Sequence, residues 1–289
     1  MHIPVIRIFK ENFAQVWEYK LEWARVGFAP FLIWAVGAAF MGIANWWFGH
    51  PLAFYEIVMG SRLHENIGQD EFLPMAGSIV NSITSFIAEL MLFINGYRYA
   101  LLNEGGHHWW TFHFNRRLVK MVLYFFLFVF LFGIYVFVAM GIIGISQSLF
   151  DNTILNVSLG IFAGLYGLYI FFRLGLFPLF IAIDQIKPMA MSWRLLKGNV
   201  LRFIGLNILL MVSLLAILLL GAVLLIPLLQ VTMTNSFLNG GVSILAGLFL
   251  ILMGFIYWSV FSKAGALVYE VLKDRLSEKG HTRKKLKSI

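Results

Sequence analysis

The chain has 289 residues, of which 60% are hydrophobic and only 12% are charged. Soluble domains carry roughly a quarter charged residues, so this composition excludes an ordinary soluble protein. The absence of cysteine excludes disulfides, a thiolate nucleophile and a cysteine-ligated metal cluster. The net charge is +8, but the basic residues flank long apolar runs. Anionic lipid headgroups are therefore the expected counter-charge, rather than nucleic acid.

The chain opens with an amphipathic segment at residues 3–24. Glu11 and Glu18 recur on one helical face, whereas Phe9 and Trp17 lie on the other. A helix with this pattern is expected to lie in the plane of the membrane interface.

Six long apolar runs follow, each close to the ~20 residues with which a helix crosses ~30 Å of hydrocarbon. They leave no separate soluble domain, so residues 1–289 are predicted to form a single membrane domain. The predicted fold class is an all-α polytopic membrane protein, with six transmembrane helices as three hairpins and with inner interfacial amphipathic helices. The predicted segments are an interfacial helix at 1–25, spans at about 26–48, 74–97, 121–145, 157–180, 200–229 and 242–262, and a basic cytoplasmic tail at 263–289.

The inner segment 184–203 carries signals for a short helix of its own. Pro188 suits the first turn of a helix, and Trp193 lies on its apolar face. Gly198 and Asn199 predict a helix stop followed by the N-cap of the next helix.

The basic residues lie almost entirely on one side of the predicted membrane. Of the 22 Lys and Arg residues, 21 fall in four segments that alternate with the hairpins, and only Arg62 lies in a predicted outer loop. Basic residues near the ends of spans stay in the cytoplasm. Both termini are therefore predicted to be cytoplasmic.

A short pattern recurs near the inner ends of the even-numbered spans, either by chance or because the chain repeats an amphipathic segment and a hairpin three times. Two interpretations of its three basic side chains stay open. Their charged heads could simply reach the interface while their stems lie in hydrocarbon. Alternatively, they could form a headgroup pocket for an anionic lipid, together with Arg194 and Lys197. The three stretches are Arg98-Tyr99-Ala100-Leu101-Leu102, Arg173-Leu174-Gly175-Leu176-Phe177 and Lys263-Ala264-Gly265-Ala266-Leu267.

The second span carries a polar stripe. Ser82, Ser85 and Glu89 follow one another at helical spacing, and Asn81 borders the same face. Such a stripe must face protein or water, because lipid cannot satisfy it. Glu89 could relay protons or bind a cation, or it could tie helices together. Arg173 is a possible partner.

The remaining polar motifs give no catalytic or metal site. His107, His108 and His113 are spaced so that no two lie at i and i+4, and the aromatic residues between them favour an interfacial belt. The chain contains no nucleophile elbow, phosphate-binding glycine loop, zinc-protease motif or dinucleotide fingerprint. No enzyme activity, cofactor or metal is therefore predicted.

Small residues recur four apart in two spans. Gly160 and Gly164 form one such pair, and Ala38 and Gly42 form another. Both pairs predict close helix packing, either within the chain or between subunits.

The stretch Ala190-Met191-Ser192-Trp193-Arg194-Leu195-Leu196-Lys197-Gly198-Asn199 and the ending Ala266-Leu267-Val268-Tyr269-Glu270-Val271-Leu272 carry a family resemblance. They resemble segments of six-span bacterial inner-membrane families that include the YciC-like proteins and the membrane domain found beside glycerophosphoryl diester phosphodiesterases. The resemblance implies a bacterial cytoplasmic membrane protein of six helices. It does not imply phosphodiesterase activity, because that chemistry belongs to an attached soluble domain, and it carries over no catalytic residue.

These features predict a non-enzymatic integral membrane protein. It would bind or organise anionic inner-leaflet lipids or partner membrane proteins, including further copies of itself. The alternative is a small-solute or ion transporter that uses the polar stripe around Glu89.

Overall fold

The computed structural model describes residues 2–47, 72–110, 115–150, 152–232, 236–274 and 276. Helices occupy most of these residues, and none of these ranges contains a strand. The predicted all-α class is confirmed. The helices are α1 (Val5–Glu18), α2 (Lys20–Trp47), α3 (Phe72–Leu102), α4 (Arg116–Phe150), α5 (Thr153–Leu174), α6 (Phe177–Ala182), α7 (Pro188–Leu195), α8 (Val200–Thr232) and α9 (Ser236–Leu272).

Among the residues that the structure describes, six helical segments are long and apolar enough to cross a membrane. Each overlaps one of the predicted spans, so the chain is an integral, multi-pass membrane protein, as expected. Its spans consist of helices because every backbone N–H and C=O must find a partner within the segment when lipid offers none. The six segments are Lys20–Ile43, Ala76–Leu102, Arg116–Phe150, Thr153–Ala182, Val200–Leu224 and Gly247–Leu272.

The first span begins earlier than the sequence pattern indicated. The amphipathic helix α1 ends at Glu18 rather than near residue 24, and α2 already begins at Lys20. Only Tyr19 separates the two helices, and its carbonyl oxygen accepts the backbone N–H of Trp23 at 3.1 Å. Helical hydrogen bonding therefore resumes directly after Tyr19. The polar residues that follow Tyr19 belong to the spanning helix α2.

Helix α1 has an unexpected buried face. Ile8, Asn12 and Val16 are buried at helical spacing, whereas Ile6 and Trp17 are 68% and 71% exposed. Exposed apolar side chains suit an interfacial helix that meets lipid. The Nδ2 group of Asn12 donates a hydrogen bond to the carbonyl oxygen of Val260 at 3.0 Å, so a buried amide holds α1 against α9.

The chain packs as two compact units, each built from separate stretches. The α2/α3 unit comprises Phe9–His113 and Ile208–Ala264, and the α4/α5 unit comprises Met1–Ile8, Phe114–Asn207 and Gly265–Ile289. Helices α1, α8 and α9 contribute residues to both units. The single membrane domain expected from the sequence stays a prediction.

Glycines allow the helices of the α2/α3 unit to approach closely. A Cβ atom added to Gly96 on α3 would lie 2.6 Å from the Oγ atom and 2.8 Å from the Cβ atom of Ser262 on α9. The Nδ2 group of Asn95 donates to the carbonyl oxygen of Val26 on α2 at 3.2 Å. Glycine at position 96 therefore permits the α3–α9 contact, while an amide beside it links α3 to α2.

In the α4/α5 unit, α4 and α5 pack as a hairpin that buries few side chains. Leu118, Met121 and Ser146 are the buried residues of α4. The small-residue pair on α5 does not pack against another described helix, because Cβ atoms added to Gly160 and Gly164 would meet no described atom within 4 Å beyond the nearby backbone of α5. Most of this hairpin therefore presents apolar surface, as expected of helices that are solvated by lipid.

The segment before α8 forms the predicted helix and stop. Helix α7 begins at Pro188, and Gly198 adopts a φ of +76°, a left-handed conformation that terminates the helix. Asn199 precedes α8, and its backbone carbonyl accepts the N–H of Phe203 at 2.9 Å. Its side-chain Oδ1 accepts the backbone N–H of Ile3 at 3.3 Å. The side chain therefore fastens the N-terminal segment instead of capping its own helix.

Candidate functional site

The α2/α3 unit contains a cleft of about 420 Å³ between α2, α3 and α9. Its walls are mostly aromatic and aliphatic, and Glu89 is the one charged residue among the described residues that line it. Polar groups placed in an otherwise apolar pocket are typical of small-molecule sites. The lining includes Phe31, Trp34, Ser85, Glu89, Tyr257 and Trp258.

The predicted polar stripe divides between this cleft and other surroundings. Ser85 and Glu89 line the cleft. Asn81 is buried, and its Nδ2 group contacts the Sδ atom of Met41 at 3.6 Å. Ser82 is exposed and donates to the carbonyl oxygen of residue 78 at 2.8 Å within its own helix. Two of the four predicted polar candidates therefore share one cavity.

Arg98 occupies a structural position. Arg98 is only 6% exposed, and its Nε atom donates to the carboxylate of Glu104 at 2.8 Å. Glu104 follows the end of α3, where Asn103 adopts a positive φ of 55°. A buried guanidinium needs such a carboxylate, because desolvation without a partner is costly. The pair holds the segment after α3 against the helix.

Lys263 lies at a second cavity of the α2/α3 unit, with a volume of about 520 Å³. Glu22, Tyr99 and His107 also line this cavity. The Tyr99 hydroxyl donates to the Glu22 carboxylate at 2.6 Å. Lys263 lies about nine residues before the end of α9, whereas Arg98 lies about four residues before the end of α3. The two basic residues therefore occupy different positions relative to their helix ends.

Arg173, in the α4/α5 unit, is held by aromatic and backbone groups. Its guanidinium lies 3.7 Å from the ring centroid of Trp193, a cation–π contact. Its Nε donates to the carbonyl oxygen of Trp193 at 3.3 Å, and its Nη1 donates to the Tyr169 hydroxyl at 2.7 Å. Ser192 completes the link, because its Oγ donates to the Arg173 carbonyl at 3.0 Å and accepts the N–H of Leu176 at 3.2 Å. We call Tyr169, Arg173, Ser192 and Trp193 the arginine clasp, which joins α5 to α7.

Exposed basic side chains surround this clasp. Arg117 donates to both carboxylate oxygens of Asp184, which places the start of α4 beside the chain that leads into α7. This ion pair places the basic start of α4 near the segment that leads into α7, and α8 follows α7 closely in the chain. The basic surface consists of Arg116, Lys120, Lys187, Arg194, Lys197 and Arg202, all of which are exposed.

The described histidines do not form a recognisable metal site. His107 and His108 are exposed, and His113 lies outside the described residues. Across the described ranges, no three His, Cys, Asp or Glu side chains come close enough to hold a metal ion. The acidic outer loop and most of the basic tail also lie outside the described residues.

The sequence did not predict several residues of these sites. The aromatic walls of the cleft come from α2 and α9, which are far apart in the chain, so no local pattern associates them with Glu89. One signal was present, since Trp34 lies inside a span rather than at its interfacial end. The partners of Arg98 and Arg173 had no comparable signal, because Glu104 and Trp193 lie in segments whose direction the sequence leaves open.

The fold and the cleft define a class: an all-α, multi-pass membrane protein with a carboxylate in a cavity between helices that are candidates to span the membrane. No protein-family model, curated protein or solved structure matches this chain. The resemblance to six-span bacterial inner-membrane families therefore stays a prediction.

Proposed function

We propose that this integral membrane protein is non-enzymatic and binds anionic lipid headgroups through the basic surface around α7. The observation that carries the proposal is the arginine clasp. The described contacts of Arg173 use its Nε–H and one N–H of Nη1, so other N–H groups of the guanidinium can meet a phosphate. Trp193 and Tyr169 hold that guanidinium in place before any lipid arrives.

The chemistry of the clasp suits a phosphate. A planar guanidinium binds phosphate oxygens in a forked geometry that an ammonium group cannot reproduce. Because the Trp193 ring already orders the Arg173 side chain, lipid binding costs less side-chain entropy. Arg194 and Lys197 lie exposed on the same segment and add long-range attraction, about 1 kcal/mol for each basic residue near an anionic membrane surface.

Native mass spectrometry of the protein released from nanodiscs tests this proposal. With equal phosphatidylglycerol and phosphatidylcholine, we expect wild type to retain phosphatidylglycerol preferentially. Replacing Arg194 and Lys197 together with Gln removes two exposed charges, and it is expected to reduce that retention severalfold without unfolding the protein. Arg173→Lys keeps the charge but loses the forked geometry of the guanidinium, so it should also reduce phosphatidylglycerol retention.

The matched control is the double variant Lys10→Gln and Lys20→Gln. It removes the same charge from exposed positions on α1 and at the start of α2. Retention unchanged by this control and lowered by the α7 double variant supports the site. Equal retention in wild type and the α7 double variant would overturn it.

A second candidate function is passage of a small solute past Glu89. The cleft between α2, α3 and α9 favours it, because a cavity beside an intramembrane carboxylate is a common feature of solute pathways. Flux into proteoliposomes should then fall in Glu89→Gln to the level of protein-free vesicles. Equal flux in wild type and the variant would remove this candidate.

The proposed location is the bacterial cytoplasmic membrane with both termini in the cytoplasm. The distribution of basic residues supports this orientation. Because the chain has no cysteine, single Cys substitutions report orientation directly. In intact spheroplasts, a membrane-impermeant maleimide should label Arg62→Cys but neither His2→Cys nor Lys287→Cys. Labelling of either terminus would reverse the assignment.

A further inference from the structure

The cleft beside Glu89 combines one carboxylate with a set of aromatic rings. Phe31 and Trp34 come from α2, Phe93 from α3, and Tyr257 and Trp258 from α9. Trp258 packs against Phe255 at a centroid distance of 5.6 Å and against Trp23 at 5.4 Å. This second layer of rings holds at least one wall of the cleft in place.

The carboxylate has no basic neighbour among the described residues that line the cleft. The basic residue nearest to Glu89 along α3 is Arg98, which is committed to Glu104. An ionised carboxylate at this depth is costly unless a positive charge accompanies it. A ligand that brings its own positive charge would supply what the described lining does not.

Aromatic faces attract cations through the negative charge density above the ring. This attraction favours weakly hydrated cations with apolar substituents, such as quaternary ammonium groups. A metal ion is a poorer match, because Ca²⁺ and Mg²⁺ require six or more oxygen ligands, and the described lining offers a single carboxylate and the hydroxyls of Ser85 and Tyr257. The cleft volume of about 420 Å³ falls within the range of sites that hold small organic molecules.

We infer that the cleft binds an organic cation, a quaternary or protonated amine whose charge lies beside Glu89 and whose apolar groups contact the aromatic rings of α2 and α9. This deepens the second candidate function by naming its ligand class. It requires binding only, so a protein that binds without moving the cation across the membrane also satisfies it.

The cleft offers a position at which a larger side chain can fill part of it. Gly254 on α9 lines the cleft, and a Cβ atom added there would meet no described heavy atom within 4 Å beyond the nearby backbone of α9. Gly254→Leu should therefore fill part of the cavity. Gly205→Leu is the matched control, because its added Cβ is equally free of contacts and Gly205 does not line the cleft.

Calorimetric titration of the protein in phosphatidylcholine nanodiscs tests the inference. The probe is phenyltrimethylammonium, and its comparison ligand is the uncharged tert-butylbenzene, which has nearly the same shape. Wild type should bind the cation saturably and with about tenfold or greater preference over the neutral ligand, the expected order for a cation–π and carboxylate site. Glu89→Gln should lose that preference, and Gly254→Leu should lose binding of both ligands.

Each outcome decides for or against the site. Equal cation affinity in wild type and Glu89→Gln would overturn the inference, and so would equal affinity of wild type for the two ligands, which would indicate an apolar cleft for acyl chains. Loss of binding in the Gly205→Leu control would also count against it. Cation binding without proteoliposome flux would remove transport and leave the inference standing. Flux that persists in Glu89→Gln would remove the second candidate function, whereas only the titrations decide the binding inference.

Discussion

The α2/α3 unit and the α4/α5 unit differ in how their helices are held together. In the most apolar stretches of α2 and α3, 39% of the residues are buried, against 0% in that of α4. The α2/α3 unit interlocks its helices through glycine contacts and buried amides such as Asn12 and Asn95. The α4–α5 hairpin leaves its apolar side chains exposed and is anchored by polar contacts at the end that carries Arg173.

The difference has a physical basis and a consequence for function. Lipid is as apolar as the side chains, so helix association in a membrane depends on close packing and hydrogen bonds rather than on the removal of water. The α2/α3 unit has both, and it can therefore maintain a cleft around Glu89. The α4/α5 unit concentrates its polar contacts at the arginine clasp, where they orient a basic surface.

The largest expected effect comes from glycine substitutions that test the packing contrast. Gly96→Ala places a methyl group 2.6 Å from Ser262 Oγ and 3.0 Å from Trp258, so either the side chains or the helices must move. We expect it to lower the free energy of unfolding by about 3 kcal/mol, the upper part of the range for overpacking. Gly164→Ala, on α5, is the matched substitution and should change stability by less than about 0.5 kcal/mol.

Thermal or SDS-induced unfolding in a mild detergent, followed by circular dichroism, measures both glycine variants. Equal stability of the two would contradict the contrast between the units.

An intermediate effect is expected at the arginine clasp. Ser192→Ala removes a buried hydroxyl that bonds the Arg173 carbonyl and the Leu176 N–H. The loss should cost about 1–2 kcal/mol, since buried backbone groups are left without a partner. Ser82→Ala is the comparison in the other unit. Its hydroxyl is exposed and bonds only within its own helix, so its removal should be nearly neutral in the same unfolding assay.

The Ser192 variant also connects stability to lipid binding. If the clasp orients the basic surface, Ser192→Ala should lower phosphatidylglycerol retention although it removes no charge. Normal retention in a destabilised Ser192→Ala protein would separate the clasp from the lipid site.

The smallest expected effect is the difference in stability lost when each of the two ion pairs is broken. Arg98 and Glu104 have side-chain exposures of 8% and 46%, whereas Arg117 and Asp184 have 24% and 52%. Glu104→Gln should cost about 1 kcal/mol, discounted for the exposed carboxylate, because it leaves a buried guanidinium poorly compensated. Asp184→Asn should cost about half as much, and Asn tolerates the positive φ of 60° at this position. Chemical denaturation of both variants in the same detergent would show the ranking, and a larger loss for Asp184→Asn would refute it.

Local sequence signals predicted much of the fold but only part of the candidate sites. The stop at Gly198 was readable, because a left-handed glycine after a short helix is a local property of the backbone. The predicted end of α1 was wrong, because the polar residues after Tyr19 keep the helical spacing of α1 although they belong to α2. Glu89 was identifiable as a charged residue within a span, but its aromatic neighbours were not.

The sequence by itself determined the class of protein, the six apolar spans and the helix break before α8. These depend on quantities that are local to a segment: the thickness of the bilayer, the need of each backbone group for an internal partner, and the conformational freedom of glycine. Only the tertiary structure decided that Glu89 shares a cleft with Trp34 and Tyr257, that Arg98 pairs with Glu104, and that Arg173 lies on Trp193. Those contacts depend on how each helix is rotated and how closely it approaches its neighbour, which small side chains at distant positions such as Gly96 and Ser262 set together.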